Sequence, residues 1–103
     1  MSKPVQMGGP IAWSLILREH QADPARAMRL LRVAGCGART RATLAVDTWR
    51  AQGPEKVIEA LATIRSAAAV AFAISRMGWD EATPDPTGKI AQLRLMAGQG
   101  RDE

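Results

Sequence analysis

The sequence predicts an all-α, single-domain bundle of four to five helices, built around a long, central, alanine-rich helix over about residues 54–77. Three features predict it. Apolar residues (AVILMFWYC) make up 47% of the 103, alanine and leucine dominate them, and β-branched runs are missing, which favours helix over strand. Four of the six prolines follow Gly or Asp, at Gly9-Pro10, Asp23-Pro24, Gly53-Pro54 and Asp85-Pro86. Proline suits the first helical position because its missing N–H has no intrahelical partner there, and it pushes the preceding residue into the extended conformation of a cap. Between these marks the apolar residues recur at helical spacing.

Each element follows from these marks. The first helix is expected over residues 10–20, with Trp13 and Leu17 beside the row Ile11, Ser14, Leu15 and Arg18. The second runs over residues 24–34 and stops at Gly35 in the left-handed conformation. The third spans residues 38–52 and ends at Gly53. The fourth, residues 54–77, begins with Glu55 and Glu59 near the positive end of its dipole and stops before Gly78. Val57, Ile58, Leu61 and Ile64 form one face of its first half, while its second half, "AAAVAFAISRM", is apolar all round and therefore expected to be buried. At 1.5 Å per residue it extends ~36 Å. A fifth helix is placed at about residues 86–97. Residues 1–8 and 98–103 read as tails flanking a single domain over 9–97.

Length and side-chain chemistry exclude several classes. The longest apolar run, Ala67 to Ile74, is eight residues, against the ~20 needed to span a membrane, so no membrane partner is expected. Cys36 is the only cysteine and His20 the only histidine, so neither an intrachain disulfide nor a metal framework is expected, and a reducing cytoplasm suits the chain. His20 reads as a cap at the end of the first helix. Cys36 lies in a glycine turn near arginines, which can lower a thiol pKa, but it lacks an evident base and reads as a small turn residue. Trp49 continues the apolar face of the third helix. Trp79 is expected to pack back over the helix that precedes it, and Trp13 to serve as core or as an interface anchor. No paired acid and base sits on one rigid element, so no enzyme, cofactor or catalytic residue is predicted.

Charge is uneven. Residues 1–50 hold eight Lys or Arg against three acids, and residues 51–103 hold six against seven. Between Pro24 and Val46 stand five arginines and no acid. On the second helix Arg26, Arg29 and Arg32 follow at i, i+3 and i+6, opposite an apolar arc of Ala27, Leu30, Leu31 and Ala34 with Met28 at its margin. On the third, Ala38, Ala42, Ala45 and Trp49 share one face, with Arg39, Thr43, Asp47 and Arg50 opposite. Arg41 and Leu44 do not fit this division.

The stretch 24–52 resembles a helix-turn-helix: a short helix, a glycine turn at Gly35, and Arg39, Thr40 and Thr43 at the head of the second helix. It departs from that motif in three ways. Leu31 fills a slot for a small residue, Arg41 falls on an early buried position, and the turn "GCG" is more flexible than common versions. The resemblance implies nucleic-acid binding through Arg26, Arg29, Arg32, Arg39, Arg41, Thr43 and Arg50, since arginine's planar fork binds guanine or phosphate bidentately.

The first functional expectation is thus a small basic nucleic-acid-binding protein, a DNA-binding regulator acting on DNA or RNA. Ala60, Ala67, Ala71 and Ser75 form a small-residue strip that admits a neighbouring helix, from this chain or from a second copy in a homodimer. The alternative is a non-enzymatic protein-protein interaction module, such as an adaptor, assembly subunit or inhibitor, docking its basic face on an acidic partner. The nucleic-acid reading expects Arg39→Ala combined with Arg41→Ala to weaken binding by well over tenfold in a mobility-shift assay.

Overall fold

The computed structural model describes residues 9–99. Among these the chain forms six α-helices and no strand: α1 (Pro10–Glu19), α2 (Pro24–Val33), α3 (Ala38–Trp49), α4 (Pro54–Leu61), α5 (Ala67–Met77) and α6 (Lys89–Gln99), with a 3₁₀ turn over Arg50–Gln52 between α3 and α4. α3 is central and packs against α2, α4 and α5. α6 lies against α5 and α4, and α1 against α2. No helix among the described residues is long and apolar enough to cross a membrane.

The proline marks hold for three helices. Pro10, Pro24 and Pro54 each open a helix at its first turn. Asp23 adds a side-chain cap, its carboxylate accepting the N–H of Arg26 at 3.2 Å. The glycine stops at Gly35 and Gly78 hold as well, whereas the third helix, expected over residues 38–52, ends at Trp49 and gives way to the 3₁₀ turn before Gly53. Gly35 has φ 84° and donates to the carbonyl of Arg32, and Cys36 donates to that of Leu31. This pair of bonds satisfies two carbonyls that the helix end leaves without partners. Gly78 closes α5 the same way, with Trp79 donating to the carbonyl of Ile74 and its ring partly buried against the core. His20 is the C-cap of α1.

The core gathers around α3. Trp49 is fully buried, and its indole N–H donates to the carbonyl of Gln21 at 2.9 Å. Met28, Leu31, Val46, Val57 and Leu61 are buried with it. Removing such an aromatic side chain typically costs about 3–5 kcal/mol. Trp13 is half-buried and donates to the carbonyl of Ala34 at 3.3 Å, so α1 is anchored to the end of α2.

Several expectations are corrected. The long helix over residues 54–77 is two helices, so the count rises to six. The chain leaves α4 after Leu61, and Ser66 starts α5 by accepting the N–H of Ala69 at 3.2 Å. Within the break, the Thr63 hydroxyl donates to the carbonyl of Ala60 at 2.8 Å. Such local side-chain bonds offer the backbone an alternative to helix. The break lets Ile64 reach the core and sets α5 between α3 and α6. The small-residue strip is therefore not continuous. Ala60 is buried in the chain's own core, while Ala67 is half-buried and Ala71 and Ser75 are exposed on α5.

The last helix begins at Lys89 rather than residue 86, because Gly88 has φ 72° and interrupts the helical backbone. Asp85 still caps it, its two carboxylate oxygens accepting the N–H groups of Ile90 at 3.1 Å and Ala91 at 2.9 Å. α6 continues through Gln99, so residues 98 and 99 are helical rather than tail. The tails expected at 1–8 and 100–103 lie outside the described residues.

The hydrogen bond from Ala91, helped by that from Ile90 and opposed by desolvation, holds the Asp85 carboxyl below its ordinary range. A carboxylate with a depressed pKa stabilises the fold above its unfolded value and stops doing so as pH falls through the folded one. Asp85→Ala should therefore lower the Tm at pH 6. The gap to wild type should close as pH drops through and below the ordinary carboxylate value of ~3.9; thermal melts followed by circular dichroism across that range check it.

Candidate functional site

The seven residues expected to meet nucleic acid separate into two groups. Arg26, Arg29 and Arg32 are exposed along α2, whose opposite side buries Ala27, Met28 and Leu31. Those of α3 and of the turn after it differ among themselves: Arg41 is buried, Thr43 is half-buried, and Arg39 and Arg50 are exposed. Arg41 is 3% exposed, and its guanidinium donates to the carbonyl of Cys36 at 2.6 Å. Its position on the buried arc of α3, with Ala42, Ala45 and Trp49, turns it away from any ligand that approaches that helix.

Arg39 and Thr43 of α3, and Arg50 in the 3₁₀ turn after it, also have partners. The Arg39 guanidinium carbon stands 3.9 Å from the centre of the Phe72 ring on α5, in cation–π contact. The Thr43 hydroxyl donates back to the carbonyl of Arg39 at 3.1 Å. Arg50 donates to the carbonyl of Arg76 at 3.0 Å, in the last turn of α5, and Arg76 in turn pairs with Asp47 at 3.2 Å. Arg39, Asp47 and Arg50 thus fasten α3 to α5. Covered by α2, α4 and α5, α3 is the central helix of the bundle.

Cys36 is 2% exposed beside Arg41. Burial raises its thiol pKa, and the nearby positive charge of Arg41 only partly opposes this, so the side chain is a protonated thiol at neutral pH. The neighbouring arginine does not bring the thiol pKa below its ordinary value.

A different set of residues forms a cleft. Arg29 and Arg32 of α2 meet Arg65, from the α4–α5 connection, around an opening of about 670 Å³. That size falls within the range of roughly 300–1,000 Å³ typical of ligand sites. Leu61, Val70 and Leu93 contribute apolar lining, and Ser66 and Ala67 place the N-terminus of α5 at its wall. The helix dipole there has the same sign as the arginines. Among the described residues, the charged ones that line this cleft are Arg29, Arg32 and Arg65.

A smaller groove of about 250 Å³ continues from it between α4 and α6. The two openings share Ala62, Leu93 and Met96. Charged residues at this second part are Glu55, Glu59 and Lys89, with Lys89 paired to Glu55 at 3.0 Å.

Arg65 is absent from the residues expected from sequence because it falls in the middle of the helix expected over 54–77. Thr63 and Ser66, which flank Ile64 and Arg65, are the signal that marks the break: both carry hydroxyls that bond to nearby backbone. The chain matches no protein-family model, no curated protein and no solved structure.

Removing the buried guanidinium leaves the carbonyl of Cys36 without this donor, a loss of about 1–3 kcal/mol. Arg41→Ala should therefore lower the unfolding free energy by that amount in urea titrations, whereas Arg29→Ala should change it by less than about 0.5 kcal/mol. In the wild-type fold Cys36 should react with iodoacetamide at least about tenfold more slowly than in urea; equal rates contradict its burial.

Proposed function

We propose that this protein is a non-enzymatic interaction module that docks an acidic segment of a protein partner on the lip formed by Arg29, Arg32 and Arg65. The observation that carries the reading is that they line one cleft from two separate elements. A ligand that suits it offers carboxylates to the arginines, which bind them as planar forks, and an apolar group to Met96, which is 45% exposed at the same cleft. A cytoplasmic setting accords with the lone buried thiol.

Nucleic-acid binding is the second reading, favoured by one observation: Arg26, Arg29 and Arg32 lie exposed at i, i+3 and i+6 on a helix that carries no acid. Phosphate contacts from α2 need no base readout. Base readout by α3 draws less support, since Arg41 is buried and Arg39 and Arg50 are engaged with α5. The combined Arg39→Ala, Arg41→Ala variant is also a poor probe of binding, because Arg41 is part of the fold.

Fluorescence anisotropy at about 150 mM salt separates the two readings. A labelled peptide carrying glutamates and leucines should bind, and duplex DNA should bind weakly, with whatever affinity it has falling steeply with salt. Arg29→Glu with Arg65→Glu should weaken the peptide by more than about tenfold, with the far-ultraviolet circular dichroism of the fold retained. Arg39→Glu should change it by less than about threefold. Tight DNA binding without peptide binding reverses the preference.

A further inference from the structure

Ala62 and Met96 are exposed where the cleft meets the α4–α6 groove, since both residues line both openings. Ile58 adds a half-buried apolar side chain on the groove side. On the cleft side stands Arg29, exposed on α2, and on the groove side stands Glu59, exposed on α4. Neither of these two side chains has a hydrogen bond or ion pair among the described residues. The charges around them are engaged. Arg32 and Arg65 have partners within the chain, and Glu55 is paired with Lys89. The surface therefore runs from one available cation, through an apolar centre at Met96, to one available anion.

Such a strip is complementary to its own image. A twofold axis that lies in the contact plane and crosses the strip at Met96 sets Arg29 of one copy on Glu59 of the other, and the reverse, while the two Met96 side chains meet. We infer that this face binds a second copy of the chain, in an isologous dimer with Met96 at its centre and two Arg29–Glu59 pairs at its rim. An apolar centre with a charged edge is the usual layout of a protein interface. The pairing of opposite charges selects this occupant: a polyanion meets Glu59 with like charge, a polycation meets Arg29, and neither gains from Met96. The contact differs from the one expected through a continuous small-residue strip, because Ala60 is buried and α4 and α5 are separate helices. It does not rest on the docking reading, although a second copy and an acidic segment both meet Arg29 and exclude each other there.

Sedimentation equilibrium of the full chain at about 150 mM salt measures the association. The wild type should dimerise with a Kd below about 1 mM. Arg29→Glu and Glu59→Arg should each weaken the dimer by about tenfold, since each turns two attractive contacts into repulsive ones. Both positions are exposed, so circular dichroism should show the fold retained. Mixed in equal amounts, the two variants should associate about as tightly as wild type, because every contact in the mixed dimer again joins opposite charges. A monomer at about 1 mM, a dimer indifferent to both charge reversals, or a mixture that recovers no association overturns the inference. Loss of the dimer on Ile11→Ser with Leu15→Ser, the exposed apolar pair of α1, but on neither charge reversal moves the contact to α1 and overturns it too. The docking reading survives each of these results, since its peptide assay needs no second copy.

Discussion

A buried guanidinium sets the arrangement of the bundle. Arg41 sits on the inward arc of α3 and donates to the carbonyl of Cys36, inside the turn that joins α2 to α3. Taking an arginine out of water is costly unless its donors find acceptors, and here a turn carbonyl accepts from it. The turn between two glycines is thereby tied to the helix that follows. Trp49 closes the other end of α3 by donating to Gln21 in the α1–α2 connection. With both ends fixed, α3 occupies the centre, where α2, α4 and α5 cover it.

That placement divides the arginines by task. In α3 and the turn after it, Arg41 is buried against the α2–α3 turn, while Arg39 and Arg50 are exposed and touch Phe72 and the end of α5. Those of α2 point outward, and two of them meet Arg65 where the chain breaks between α4 and α5. The break is what creates the cleft, since a continuous helix over residues 54–77 could not bring Arg65, Ser66 and the start of α5 to its wall. Of the arginines in the basic half only Arg41 is internal, and the positive lip of the cleft draws Arg29 and Arg32 from that half and Arg65 from the other.

Much of the fold is legible in single residues. Pro10, Pro24 and Pro54 mark starts because their ring geometry acts locally, and Gly35 and Gly78 mark stops because few other residues adopt a positive φ. What stays hidden depends on tertiary packing. Alanine-rich sequence on both sides of residues 62–66 supports helix throughout, and only the Thr63 and Ser66 hydroxyls register the turn. At α6, Pro86 imitates a start that Gly88 then cancels, while Asp85 reaches across the intervening turn to cap the helix. Arg41 shares the helical register of Ala42, Ala45 and Trp49, so its position is legible in the periodicity and its residue type hides it. The cleft itself is not legible, because Arg29 and Arg65 are far apart in the chain and meet only through packing.

The most direct test of this division is nuclear magnetic resonance of the arginine side chains during titration with an acidic, leucine-striped peptide. The Nε–H signals of Arg29 and Arg65 should move progressively with added peptide, while those of Arg39, Arg41 and Arg50 hold their positions. Movement of the α3 signals first, with those of Arg29 and Arg65 unchanged, contradicts the account.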